Sequence, residues 1–256
     1  EEFHSLIRAL EHYVLPDSED GLYERDWGLG AAKARENIPR SVNQDLEKSR
    51  RELLRYFVLV AASSGCRPHE LAGEEIGSLR WRDVELMDLS MDVAVTRPAP
   101  TKKTIAVLHI REKTKTGQRS VPMAGGEYLR EMREWSRYSG PDDFVFCDQF
   151  GIRAGKAVYM DSLRLHWHEL LRRIGFDRFK PDLYTLRHYF ATQRLKAGVP
   201  PFLVAKTLGH SIQELLRVYE HVLMGSEEVI RKVWIDETPK ELKDEGLTIL
   251  DELLAG

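Results

Sequence analysis

Several side chains, far apart in this sequence, have the types needed to handle a phosphate. Arg67 follows Gly65 and Cys66 at the end of an apolar helical run, and Glu70 lies three residues on. A guanidinium there can hold a phosphate through two parallel hydrogen bonds while the carboxylate orients it from behind; taken singly, it can equally satisfy helix-end carbonyls. Lys115 abuts the Thr116–Gly117 pair. An ammonium on such a turn can reach into a groove and protonate a leaving oxygen, although most hairpin lysines face solvent and guard a strand edge. Tyr184 and Arg187 stand at i, i+3, which puts a phenol and a guanidinium on one helix face. Gly209 and His210 close a short helical run, and Ser211 and Glu214 form an S-x-x-E start for the next one. Tyr219 follows Ile212, Leu215 and Leu216 on that helix, so by itself it reads as a core aromatic with its hydroxyl at the edge.

The periodicity says which elements must carry these groups. Residues 3–15 have helical spacing, 17–42 have none and read as an insertion or surface loop, and an amphipathic helix runs from 43 to about 63 with Leu46, Leu53, Leu54, Phe57 and Val58 on one side. Gly65 ends it. Between Leu79 and Met123 the period falls toward two, which predicts strands over 80–86, 105–110 and 119–123, the last two joined at Thr116–Gly117. Helical spacing returns over 127–138, 161–174, 185–197, 201–208, 212–223 and 227–235. The expected fold is therefore mainly α with a small three-stranded antiparallel β-sheet. The end, LTILDELLAG, carries an apolar stripe through Leu247, Leu250, Leu253 and Leu254 that can fold back on its own domain or pack on a second subunit.

With 256 residues, 42% hydrophobic and 31% charged, the chain is long and apolar enough for a real core, which excludes wholesale disorder and a disulfide-stapled miniprotein. Two cysteines, Cys66 and Cys147, build neither a disulfide framework nor a four-cysteine zinc site, so a reducing compartment is expected. No apolar run approaches membrane-spanning length, and the sequence opens on Glu1 and Glu2 rather than a basic leader, so a soluble cytoplasmic protein is expected. The net charge of −3 conceals segregation: residues 1–45 and 222–256 each carry −5, whereas 97–119 carry +6 and 151–180 carry +4. A polyanion can lie against such a middle while the acidic ends face away.

The segments GCRPHEL (65–71), KTGQRSVP (115–122), TLRHYFAT (185–192) and LGHSIQELLRVY (208–219) occur in the order, and near the spacings, of the catalytic domain of tyrosine recombinases. The chain resembles that family, also called the phage integrases, over about residues 3 to 222. The resemblance implies that Tyr219 is a nucleophile and that Arg67 and Arg187 clamp the scissile phosphate. It also implies that Lys115 is the general acid, with Lys113 the alternative two residues away, that His210 donates to the same phosphate, and that Glu70 supports the arginines. Where the family usually has histidine, three residues before the second arginine, this sequence has Tyr184. A phenol titrates near pH 10, so it hydrogen-bonds well but accepts a proton poorly at neutral pH.

The implied activity is site-specific DNA recombination or integration: metal-free, cofactor-free strand cleavage and rejoining through a covalent 3′-phosphotyrosine. Alternatives are a type IB topoisomerase-like nicking and closing enzyme, distinguished by the LGH motif and the nine-residue step to Tyr219, or a relative that binds DNA but has lost catalysis. Lys102, Lys103, Arg111, Lys113 and Arg119 are the expected DNA-backbone contacts. The implied partner is double-stranded DNA, bound as a homotetramer and approached as a monomer associated with the nucleoid, with no membrane involved. The expected organisation is a catalytic domain over 1–224 and a helical tail over 225–256 that can exchange between subunits, without the family's N-terminal DNA-clamping domain. DNA binding by this chain alone is expected to be weak and steeply salt-dependent.

Overall fold

A computed structural model describes residues 2–15, 40–73, 77–90, 102–111, 117–176 and 181–224. By contacts the chain separates into two compact units, 1–190 and 191–256.

In the first unit, α1 (Glu2–Tyr13) and α2 (Arg40–Ser64) are followed by the single turn α3 (Pro68–Leu71). A 3₁₀ turn (Trp81–Asp83) then leads into β1 (Val84–Ser90), β2 (Lys102–Ile110) and β3 (Arg119–Ala124). After these come α4 (Gly126–Trp135), α5 (Met160–Arg173) and the start of α6 (Thr185–Lys196). The amphipathic pattern of α2 becomes a central helix: α1, α3, α4, α5 and β3 all pack on it. Its second half is buried nearly all round, including Leu53, Leu54, Phe57, Val58 and Val60.

Arg51 lies in that stretch, wholly buried. Such a charge needs compensation, and Glu47 one turn away supplies it at 3.3 Å, while Tyr13 O accepts from Nη1 at 3.2 Å. Around it Tyr13 Oη lies 3.0 Å from His166 Nδ1 and donates to Glu169 Oε2 at 3.1 Å, and Arg173 donates to Glu169 Oε1 at 2.6 Å. This polar network ties α1, α2 and α5 together inside an otherwise apolar core.

The sheet is antiparallel in the order β1-β2-β3, with Val84 opposite Leu108 and Ile110 opposite Arg119. Thr104, Ala106, Leu108 and Ile110 are buried in alternation along β2, the period-two pattern expected of a half-buried strand. Pro122 is tolerated because β3 is an edge strand. Gly126 lets α4 press against β2: a Cβ there would lie 2.9 Å from the carbonyl carbon of Ile105.

The first predicted strand begins later than its pattern suggests. Asp83 Oδ2 accepts the Arg80 amide hydrogen at 3.0 Å and curls the chain into the 3₁₀ turn, with Trp81 buried and its indole donating to Tyr138 O. Arg80 instead forms an isolated bridge with Phe144. The second unit holds the rest of α6, α7 (Pro201–Leu208) and α8 (Ile212–Met224), with α7 packed on α8. The predicted helix 227–235, residues 17–39 of the expected loop and the stripe at 247–254 lie outside the described residues, while residues 40–42, also expected in that loop, form the first turn of α2. Among the described residues, no helix is long and apolar enough to cross a membrane.

Candidate active site

The end of α2 builds one half of the site. Gly65 adopts φ +66°, a left-handed conformation that glycine enters without a Cβ clash, and its carbonyl accepts a hydrogen bond from Arg187 Nη1 at 2.7 Å. Pro68 opens α3, and across this single turn Glu70 Oε2 accepts the Arg67 amide hydrogen at 2.8 Å. The Arg67 guanidinium, about a quarter exposed, lies 3.6 Å from Glu70 Oε1.

Arg119 reaches the same carboxylate from β3. Its Nη1 donates to Oε1 at 2.9 Å and its Nη2 to Oε2 at 2.7 Å, a bidentate pair with only 9% and 3% of the two side chains exposed. Arg187 is buried at 1% exposure. Burial and the Arg67 charge lower its pKa, while Tyr184 and Glu70 oppose the shift and Arg119 adds to it. Two guanidiniums thus meet one carboxylate and a third, Arg187, lies within its electrostatic reach, and this excess of fixed positive charge suits a phosphate diester. Cys66 is not a competing nucleophile: burial, reinforced by Glu70, pushes its thiol up to about 11.

The start of α6 fixes the neighbouring phenol. Trp167 Nε1 donates to Pro181 O at 2.7 Å, and Asp182 Oδ1 accepts hydrogen bonds from the amide and hydroxyl of Thr185, capping the first turn. Tyr184, half-buried, stands one turn before Arg187, and the His188 ring meets its ring edge-on, with centroids 5.2 Å apart and planes at 69°.

In the second unit Gly209, at φ +67°, ends α7, and the His210 amide donates to Ala205 O at 2.9 Å. Ser211 Oγ accepts the Glu214 amide hydrogen at 3.1 Å, so the expected cap forms. The apolar stripe of α8 divides: Leu215 and Tyr219 are buried at 0% and 3%, whereas Ile212 and Leu216 are exposed at 43% and 39%.

The first unit therefore places Arg67, Glu70 and Arg187 near one another, with Tyr184 in the turn before Arg187, and adds Arg119. The DNA-contact reading of Arg119 changes, because both its terminal nitrogens are held by Glu70. Its position was legible: Arg119, Val121 and Met123 share a strand face, and the two apolar members are buried. Arg111 is ion-paired to Asp83, a partner the sequence did not suggest. Lys102 and Lys103 lie on β2 opposite Ser90 and Leu89. Lys113 and Lys115 lie outside the described residues.

Among the described residues, one group has the composition of a metal site, the buried trio Glu47, His166 and Glu169. Arg51 and Arg173 already balance its two carboxylates, and Tyr13 bridges Glu169 and His166. A divalent cation would add positive charge where protein cations already serve.

Two Escherichia coli (strain K12) proteins are similar to this chain. Prophage integrase IntR is 27% identical over 217 residues, covering 76% of this chain and 46% of IntR. The defective protein IntQ is 25% identical over 214 residues, covering 75% of this chain and 52% of IntQ. The chain thus spans about half the length of these relatives. In fold it is similar to XerH site-specific recombinase bound to difH substrate in a pre-cleavage complex: TM-score 0.53, 18% identity, 86% of this chain and 48% of that one. A post-cleavage XerH complex with palindromic difH gives 0.52 at 18% identity, over 91% and 52% of the two chains. The sequence model of the phage integrase family matches residues 35–225, a span that takes in all four motifs and both units, and the chain belongs to that family.

Proposed function

We propose that this chain is the strand-cleaving part of a tyrosine-type site-specific DNA recombinase. The observation that carries the reading is the pairing of Arg67 and Arg119 with the single carboxylate of Glu70, beside a buried Arg187 anchored to the Gly65 carbonyl. Breaking a phosphodiester piles charge on the non-bridging oxygens, and preorganised donors that meet this charge lower the barrier. Arg67 and Arg187 hold those oxygens in the proposed complex, and Glu70 and Arg119 fix Arg67 without adding a ligand of their own. His210 supplies a further donor.

In the proposed reaction the Tyr219 phenol gives up its proton to solvent as its oxygen attacks phosphorus, the bond from phosphorus to the 5′ oxygen breaks, and Lys115 protonates that oxygen as it leaves. The resulting 3′-phosphotyrosine retains the bond energy for rejoining, so no nucleotide cofactor enters the scheme. Duplex DNA is the substrate, with Lys102, Lys103 and Lys113 as backbone contacts and a homotetramer on DNA as the working unit. The chain would act with the nucleoid. The fold likeness to XerH in complex with difH and the similarity to a prophage integrase support this reading over a topoisomerase.

A pool of nicked duplexes with randomised arms tests it. Incubated with the full chain, the pool should yield a detergent-resistant protein–DNA adduct that sequencing resolves into a preferred site. Tyr219→Phe should abolish the adduct, and an adduct that persists in Tyr219→Phe refutes the nucleophile assignment.

A further inference from the structure

Tyr184 lies in the turn that leads into α6, three residues before Arg187 and four before His188. It is electrostatically linked to the first and packed ring against ring with the second. We propose that His188 is a positioning residue for strand cleavage, holding the Tyr184 phenol beside Arg187 through the edge-on ring contact. The inference rests on the recombinase reading, because it needs a phosphate at Arg187 for Tyr184 to serve.

Three features support it. The helix start under Tyr184 is pinned by Asp182 and by the Trp167–Pro181 hydrogen bond, so the remaining freedom of the phenol is rotation of its own side chain. A ring meeting it edge-on restricts that rotation, and a T-shaped pair is a favoured aromatic geometry. Finally, the titratable and charged groups acting on His188 are Arg187 beside it in α6 and Tyr184 and Asp182 in the turn before the helix. The side chain is exposed, yet desolvation by its neighbours and the Arg187 charge lower its pKa, which Asp182 only partly offsets. The imidazole therefore stays neutral at neutral pH and adds no cation to a cluster already rich in them. A phenol is a poor proton acceptor, so its value at this position lies in a fixed hydrogen bond, and a fixed hydrogen bond needs a held ring.

Adduct formation by the full chain on the randomised nicked-duplex pool, followed from about pH 5 to 8, gives the test. His188→Leu should slow the reaction roughly three- to tenfold, the equivalent of one aromatic pair, and His188→Phe should recover most of that loss. In a Tyr184→Leu background, His188→Leu should cost nothing further, because its effect passes through the phenol. The wild-type rate should fall at the acid end as His188 gains a charge beside Arg187, and His188→Phe should lack that fall. Melting curves of each variant confirm that equal amounts of folded chain are compared. If the His188 and Tyr184 effects simply multiply, or if His188→Leu cleaves like wild type, the positioning role is wrong while the recombinase reading stands. If the wild-type chain forms no adduct, that reading fails and this inference falls with it.

Discussion

Arg119 grips Glu70 with two parallel hydrogen bonds of 2.9 and 2.7 Å across 49 residues of sequence, and the same carboxylate accepts the Arg67 amide hydrogen at 2.8 Å. The edge strand of the sheet is thereby fastened to the turn that presents Arg67. Arg119→Ala leaves Glu70 buried without its bidentate partner, and such a break costs about 3–5 kcal/mol. Urea unfolding should show that loss. Arg119→Lys should recover part of it while still slowing adduct formation, because an ammonium cannot reproduce the fork.

Arg67 is the most accessible of the clustered arginines, so its removal should separate chemistry from folding. Arg67→Ala should reduce adduct formation by about 10²–10³-fold, the usual cost of one preorganised donor, with a much smaller effect on the urea midpoint. Inorganic phosphate should raise the melting temperature of the wild-type chain and raise it less in Arg67→Ala.

Tyr13 tests the core network. Burial and the neighbouring Glu169 push its phenol well above the usual range, so it stays protonated and donates to Glu169. Tyr13→Phe leaves Glu169 and His166 each short of a partner and should cost about 1–3 kcal/mol in urea unfolding. The rate of adduct formation per folded molecule should not change.

The two thiols should be silent in the native chain. Burial pushes Cys66 up to about 11 and Cys147 up to about 12, from an ordinary value of 9.0. Iodoacetamide at neutral pH should label neither until urea unfolds the protein. The folded thiols hold their protons while unfolded ones release them, so between about pH 9 and 11 the folded state binds more protons and stability falls as pH rises. Replacing Cys66 and Cys147 by alanine should flatten the unfolding free energy over that window.

Much of this architecture was legible from local pattern. The order of helices and strands, the helix stop at Gly65 and the cap at Ser211 follow from spacing, capping and glycine conformation, which act within a few residues. The motif residues pointed to phosphate chemistry only through their resemblance, taken together, to the recombinase family. Tertiary structure decided what each charged group meets. Arg119 faces Glu70 and Arg111 faces Asp83, although both arginines looked like free cations on a basic strand. Trp81 and Asp83 turned a predicted strand start into a 3₁₀ turn, and Tyr13 joined a network with partners more than 150 residues away. A side chain's partner depends on which elements pack side by side, and burial removes the water that would otherwise satisfy it, so long-range pairing emerges only when the core closes.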